Sequence, residues 1–349
     1  MPKEFSDCVS VIEDAVAENL PEGFYSNDVD KIGDASLELW QSGSWFSFIG
    51  ELIEKSLPSA TKLFLRLCVL VLISALFGAV GRSLSSEALS SAVRFCSSTA
   101  IMATVIKMQS EQMEQVEQFF SRLTVLMEAM IPVTGSVWAM GGNVSTASVG
   151  TSALYVFLTV CEALCAKSIL PVCCALTAFA LCNTAAPEMG LAGLSSALKK
   201  VYAFFLGMVM TVLLASLSAT TALTAAADST TARAAKLISA NIIPVVGASV
   251  GDTLRTIATS VQYLKSIVGI SGVAFILILV LPVLTSLIAS RLAFLLASGF
   301  ADMVGCDGEK RFISEIGGIY AVLIAVAAMS AVMFIFALTI FSKTAVALA

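Results

Sequence analysis

The sequence predicts an all-α, polytopic membrane protein: a multi-span helical domain with parallel internal repeats of about 112 residues and Pro-broken or re-entrant segments, after a small helical extracytoplasmic region. Three observations predict it. The 349 residues are 58% hydrophobic and only 13% charged, against roughly 25% charged in soluble proteins. A mean hydropathy of +0.92 cannot be hidden in one soluble core. Short Pro-centred landmarks also recur at a fixed interval.

The chain divides at about residue 57. Residues 1–55 hold 12 acids and 3 bases, a charge of −9, so the other 294 residues carry 13 acids and 17 bases, a charge of +4. Ser6 is placed to cap an amphipathic helix through Val9, Ile12, Ala15 and Val16, ending near Pro21 and Gly23. Residues 1–57 therefore read as an acidic helical region and 58–349 as the membrane domain. Met1-Pro2-Lys3-Glu4 offers no apolar leader core, so either a leader was removed or the first span acts as the insertion signal.

Apolar runs follow at about 63–80, 95–108, 125–140, 146–166, 169–182, 201–227, 267–290, 292–304 and 316–341. A span needs about 20 residues. Runs 169–182 and 292–304 are therefore expected to be broken, kinked or re-entrant, which requires cover from protein or water.

Leu57-Pro58-Ser59, Leu170-Pro171-Val172 and Leu281-Pro282-Val283 set their prolines 113 and 111 residues apart, and Ile131-Pro132-Val133 and Ile243-Pro244-Val245 set theirs 112 apart. Leu89 to Arg94 resembles Leu194 to Lys199, and Lys199-Lys200 precedes Lys310-Arg311 by 111. These landmarks predict repeats over 58–170, 171–281 and, partially, 282–349; chance Pro placement is the bland alternative. Short cytoplasmic loops are rich in Lys and Arg. Arg82, Arg94, Lys199, Lys200, Lys310 and Arg311 then face the cytoplasm, the acidic region and Glu111, Glu114 and Glu117 face outside, and six or ten crossings are favoured over eight, between repeats that run parallel.

The function classes narrow by exclusion. With no histidine, the commonest general base and metal ligand are missing, along with every Ser-His or Cys-His nucleophile. The nine cysteines show no zinc spacing and read as small buried apolar residues. No nucleotide-binding loop, dinucleotide fingerprint or HExxH occurs, and the bases are not clustered with aromatics. The expectation is a non-enzyme without catalytic, cofactor or metal residues, whose partners are the lipid bilayer and other proteins rather than nucleic acid.

Two groups of residues could carry function. The stretch from Asp228 through Arg233, Lys236, Asn241, Pro244 and Gly247 to Asp252 is the densest set of polar and helix-breaking residues in the membrane part. Arg233 and Lys236 share one helical face, where they could meet Asp228, Asp252 or lipid phosphate. An interfacial amphipathic helix with snorkelling bases stands beside a pore-lining or partner-binding role. Of the charges within apolar runs, Arg66, Glu128, Glu162, Lys167 and Arg291, the pair Glu162 and Lys167 draws most interest. Five residues apart, they pair poorly on a regular helix, but a break before Pro171 would bring them together or aim both at water. A structural ion pair and an ion or proton path are the two readings.

Arg233-Ala234-Ala235-Lys236, Asn241-Ile242-Ile243-Pro244-Val245-Val246-Gly247, Asp252-Thr253, and Lys265 through Val268-Gly269-Ile270 resemble the signature region of the stage III sporulation protein AE family. Weaker similarity extends to Asp30-Lys31-Ile32-Gly33, the 191–199 loop and the last spans. The resemblance implies a polytopic protein of endospore-forming bacteria, a component of the mother cell–forespore channel complex required for late forespore gene expression. It implies residence in the mother-cell-derived outer forespore membrane, and partners among the subunits of one sporulation operon and forespore-side channel proteins. It makes the Arg233 to Asp252 segment, with Lys265, the candidate gate or contact. A self-contained secondary transporter of a small solute is the alternative, and a passive scaffold for partner subunits a third reading.

Overall fold

The computed structural model describes the backbone of residues 45–83, 87–185, 191–242 and 247–343, and the side chains of 47–80, 99–184, 193–231, 259–262 and 268–340 apart from Ser271, with those of Cys96 and Arg233. Within these residues the protein is helical, without strands: α1 (Trp45–Ser83), α2 (Glu87–Met140), α3 (Thr151–Cys161), α4 (Lys167–Ala185), α5 (Leu191–Ile242), α6 (Gly247–Val304) and α7 (Asp307–Lys343). Single π-helical turns, Thr146–Gly150 and Glu162–Ala166, join α3 to the chain before it and to α4, so 146–185 is one continuous rod. Six helices, counting the rod as one, are long and apolar enough to cross a membrane. The protein is thus a polytopic α-helical membrane protein. Of the acidic region, residues 1–44 lie outside the described residues.

Nine apolar runs become six helices because intervening polar stretches stay helical. Apolar surroundings offer the backbone no water, so hydrogen bonds must close within the chain. Glu111, Glu114 and Glu117, expected in an outside loop, lie inside the 54-residue α2. Runs 169–182 and 292–304, expected as separate broken pieces, are parts of the rod and of α6, and 191–199, read as a loop, opens α5. Pro58, Pro132, Pro171 and Pro282 are all accommodated inside helices. Hydroxyls one turn on donate to carbonyls beside them, as Thr61 does to Pro58 (3.0 Å) and Thr285 to Leu281 (2.9 Å).

Among the described residues the breaks fall at glycine. Gly142 (φ 75°) and Gly305 (φ 78°) adopt left-handed backbone, which costs glycine no Cβ clash, and end α2 and α6. After Gly305 the Cys306 amide donates to the Ala301 carbonyl at 2.9 Å and Lys310 N–H to Cys306 at 2.9 Å, so α7 starts at once. Three antiparallel hairpins result: α1 with α2, the rod with α5, α6 with α7. Ser74 of α1 donates to Glu309 of α7 at 2.6 Å, and Asn183 of α4 and Ser195 of α5 donate to Glu315 of α7. The end of α4 and the starts of α5 and α7 therefore meet at one end of the bundle, with α1 beside them.

The core forms around α6 and α7, with the Phe294 and Tyr320 rings 5.0 Å apart and Gly317 letting Phe294 Cβ approach a would-be Cβ to 3.3 Å. More than half of the most apolar window of α7 is buried (56%), against 22% for α5. Phe204, Met208, Val212 and Leu223 of α5 are exposed, as are Leu65, Val69 and Leu76 of α1. In a membrane-spanning bundle these faces are solvated by lipid.

Candidate functional site

Where the rod begins, α2 has just turned back at Gly141-Gly142, and the first amides of the rod have no helical partner. Asp228 of α5 supplies one. Its carboxylate accepts the Ser145 N–H at 2.9 Å, the Thr146 N–H at 2.8 Å and the Thr146 hydroxyl at 2.8 Å. Asp228 is 4% exposed and Thr146 fully buried. A negative charge at a helix N-terminus meets the positive end of the dipole, so α5 is clasped to the rod by charge and by three hydrogen bonds. The same corner is drawn tight by glycine: a Cβ on Gly150 would stand 2.9 Å from the ring of Trp138, and one on Gly135 2.8 Å from Thr151 Cγ2.

The second π turn sits one turn before Pro171, where it lets the rod absorb the proline's missing N–H. It also widens the turn, so residues five apart come onto one face. Lys167 N–H caps back onto the Glu162 carbonyl, and Lys167 Nζ stands 3.2 Å from Glu162 Oε1. This is the pairing the sequence makes conditional on a break ahead of Pro171. The two charges open onto a groove of about 640 Å³ between the rod and α2, whose α2 wall carries Glu117, Ser121, Thr124 and Glu128. The α2 positions recur every three or four residues and so occupy one helix face. Among the described residues no three His, Cys, Asp or Glu side chains are placed to hold one metal ion. The carboxylates are strung along the groove rather than focused on a point, and the arrangement suits hydrating and passing polar solutes along a spanning bundle.

At the opposite end, Glu315 ties three helices: Oε2 accepts from Ser195 Oγ at 3.0 Å and faces Lys199 Nζ at 3.5 Å, while Oε1 faces Asn183 Nδ2 at 3.5 Å. Sequence reading passed over Glu315, because an acid just ahead of the apolar run 316–341 looks like an interfacial charge. Its partners are 116 to 132 residues away in sequence.

The structure separates the residues grouped by sequence. Asp228 is turned to the rod, not to Arg233. Arg233 is exposed. Beyond Asp228, α5 runs on for 14 residues, about 21 Å. Lys236 and Asn241 are on that extension and Gly247, Asp252 and Lys265 on α6; their side chains, and Pro244 altogether, lie outside the described residues. Glu162 and Lys167 are on another element and face α2.

The family model described as stage III sporulation protein AE matches residues 28–345. The chain belongs to the stage III sporulation protein AE family. A curated relative, "Stage III sporulation protein AE" of Bacillus subtilis (strain 168), is 22% identical over 218 residues, covering 62% of this chain; the match spans 55% of the relative's own length. No solved structure matches the chain. This member of the stage III sporulation protein AE family is accordingly a sporulation membrane protein, and both the Asp228 clasp and the Glu162–Lys167 groove lie within the matched residues.

Proposed function

We propose that this protein is a non-enzymatic membrane subunit of the channel or transport apparatus that joins mother cell and forespore, set in the mother-cell-derived outer forespore membrane. One observation carries the transport part of the reading: Glu117, Glu128, Glu162 and Lys167, all on helices able to cross a membrane, converge on one open groove. Charges in spanning segments persist where water or a polar solute meets them. Family membership supports the sporulation setting, the other subunits of the same operon as partners, and forespore-side channel proteins as further ones.

The end of the bundle that carries Lys199, Lys200, Lys310 and Arg311 is the cytoplasmic end in this reading. The acidic region and the segment from Arg233 to Asp252 then stand on the opposite side. That segment is the contact or gate, held in register by the Asp228 clasp five residues before Arg233. Pro58, Pro171 and Pro282 fall in the first helix of successive hairpins, which supports an origin by internal repetition of a helical hairpin.

Single cysteines along 233–252 and at Ser121 and Thr124, in a chain freed of its own thiols, test the reading with membrane-impermeant reagent in sporulating cells. Labelling that reaches Ser121 and Thr124 and depends on partner subunits is the expected result. Labelling confined to 233–252 and unchanged without partners overturns the transport role and leaves a scaffold. Solute uptake by the purified chain alone in vesicles would instead establish a self-contained transporter.

A further inference from the structure

Between α6 and α7, which turn on each other at Gly305, lies a cavity of about 190 Å³ lined by Arg291, Leu295 and Ser298 of α6 and by Ser314, Gly317 and Gly318 of α7. Ile288, Arg291, Leu292 and Leu295 follow the i, i+3, i+4, i+7 spacing of one helical face, and Ser298 continues it. Ile288, Leu292 and Leu295 are exposed, so in a bilayer this face meets lipid. Gly317 and Gly318 bring no side chain to the α7 wall, which keeps the space open.

Arg291 is exposed within a helix able to cross a membrane, yet among the described residues it forms neither a hydrogen bond nor an ion pair. The Ser298 and Ser314 hydroxyls likewise have no partner there, whereas Thr285 and Ser330 on the same two helices donate back to the preceding turn. No acid lines the cavity. The two carboxylates nearest in sequence are engaged elsewhere, Asp302 by Lys310 at 2.7 Å and Glu315 by Ser195 at 3.0 Å and by Lys199. A fixed guanidinium with no counter-ion at membrane depth calls for an anion, and its planar fork matches a phosphate. The order of groups along the hairpin is also informative. Ser298 and Ser314 stand about 10 and 14 Å from Gly305 along their helices, Arg291 about 21 Å and Ile288 about 26 Å. From the turn inward this face therefore presents hydroxyls, then a cation beside Leu292, then aliphatic carbon, which is the order of headgroup, phosphate and acyl chain in a phospholipid.

We propose that the α6–α7 cavity binds one anionic phospholipid, with its phosphodiester on Arg291, its headgroup hydroxyls on Ser298 and Ser314, and its acyl chains along Leu292 and Ile288. The volume of about 190 Å³ equals that of about six water molecules at about 30 Å³ each. That is room for a headgroup and not for the chains, which lie on the exposed aliphatic face. A net negative headgroup fits better than a zwitterionic one, because the lining offers a cation and no carboxylate to take an ammonium. A free phosphate would leave the flanking aliphatic face unused. The inference depends neither on the transport role nor on which end of the bundle faces the cytoplasm.

The test is native mass spectrometry of the full-length protein released from detergent micelles, titrated with dioleoylphosphatidylglycerol or with dioleoylphosphatidylcholine, whose chains are identical. The first lipid adduct should form at about tenfold or more lower concentration with the phosphatidylglycerol. Arg291→Gln should abolish that preference, and Lys107→Gln, which removes an exposed base from α2, should preserve it, so that net charge is not the cause. Joint replacement Ser298→Ala and Ser314→Ala should weaken phosphatidylglycerol binding by about fivefold or more. On the unmodified protein, where folding of a variant is not at issue, neither sodium phosphate nor the chain-free headgroup glycerophosphoglycerol should displace the lipid at equal concentration. Equal affinity for the two lipids, a preference that survives Arg291→Gln or is lost in Lys107→Gln, indifference to the serine pair, or displacement by either free phosphate would each overturn the proposal.

Discussion

Lys167 Nζ lies 3.2 Å from Glu162 Oε1 although five residues separate them, a pairing made by the π turn between them. On a regular helix, residues five apart point about 140° away from each other; one extra residue in the turn brings the pair together. Lys167 is 71% exposed and Glu162 33%, so the pair adds little to stability and its charges remain available to whatever fills the groove.

Neutralising that pair should therefore separate function from folding. Glu162→Gln and Lys167→Gln should each change stability by less than about 1 kcal/mol, measured by thermal unfolding in detergent. Heat-resistant spore counts should fall for both, if the groove carries the transport role. Full spore counts with either variant would show that the pair is structural only.

Removing the Asp228 carboxylate should be expensive. Asp228→Ala leaves two amides and a hydroxyl of the rod without their acceptor in a buried corner, a loss of about 2 kcal/mol. Asp228→Asn keeps one acceptor oxygen and should cost less. A double-mutant cycle of Asp228→Ala with Thr146→Val, read by thermal unfolding, should give a coupling energy of about 1 kcal/mol, since the two side chains share one hydrogen bond.

Two glycine substitutions should behave oppositely. Gly150→Ala sets a methyl 2.9 Å from Trp138 Cζ3 and 3.2 Å from Cη2. That ring is 1% exposed and cannot withdraw, so the cost is about 1–3 kcal/mol. Gly318→Ala sets its methyl 2.7 Å from Lys199 Nζ, the free end of a flexible side chain that can swing aside, and should cost less than about 1 kcal/mol. Melting temperatures of the two variants, compared directly, check the contrast.

Where α4, α5 and α7 meet, Glu315→Leu should destabilise by about 2 kcal/mol, because it leaves Lys199, 21% exposed, without its carboxylate and the buried Ser195 hydroxyl without its acceptor. Adding Lys199→Met to that change should recover part of the loss, as the uncompensated charge is then gone. Unfolding midpoints of the single and double variants decide it.

Much of this protein is legible in its residues alone. Composition and apolar run length are properties of the chain that a bilayer reads directly, since a helix able to satisfy its own backbone is the only open-chain solution in lipid. The order Arg233 to Gly247 identifies the family for the same local reason: it is contiguous. Tertiary structure decided the rest. That Asp228 faces Ser145 and Thr146 rather than Arg233, that Glu315 ties Ser195 to α7, and that the Gln112 and Glu117 faces of α2 open onto different cavities are relations between residues up to 132 positions apart or on opposite sides of one helix. Such relations depend on which faces pack, and packing is settled by volume and hydrogen-bond closure across helices, quantities that no single segment of the sequence contains.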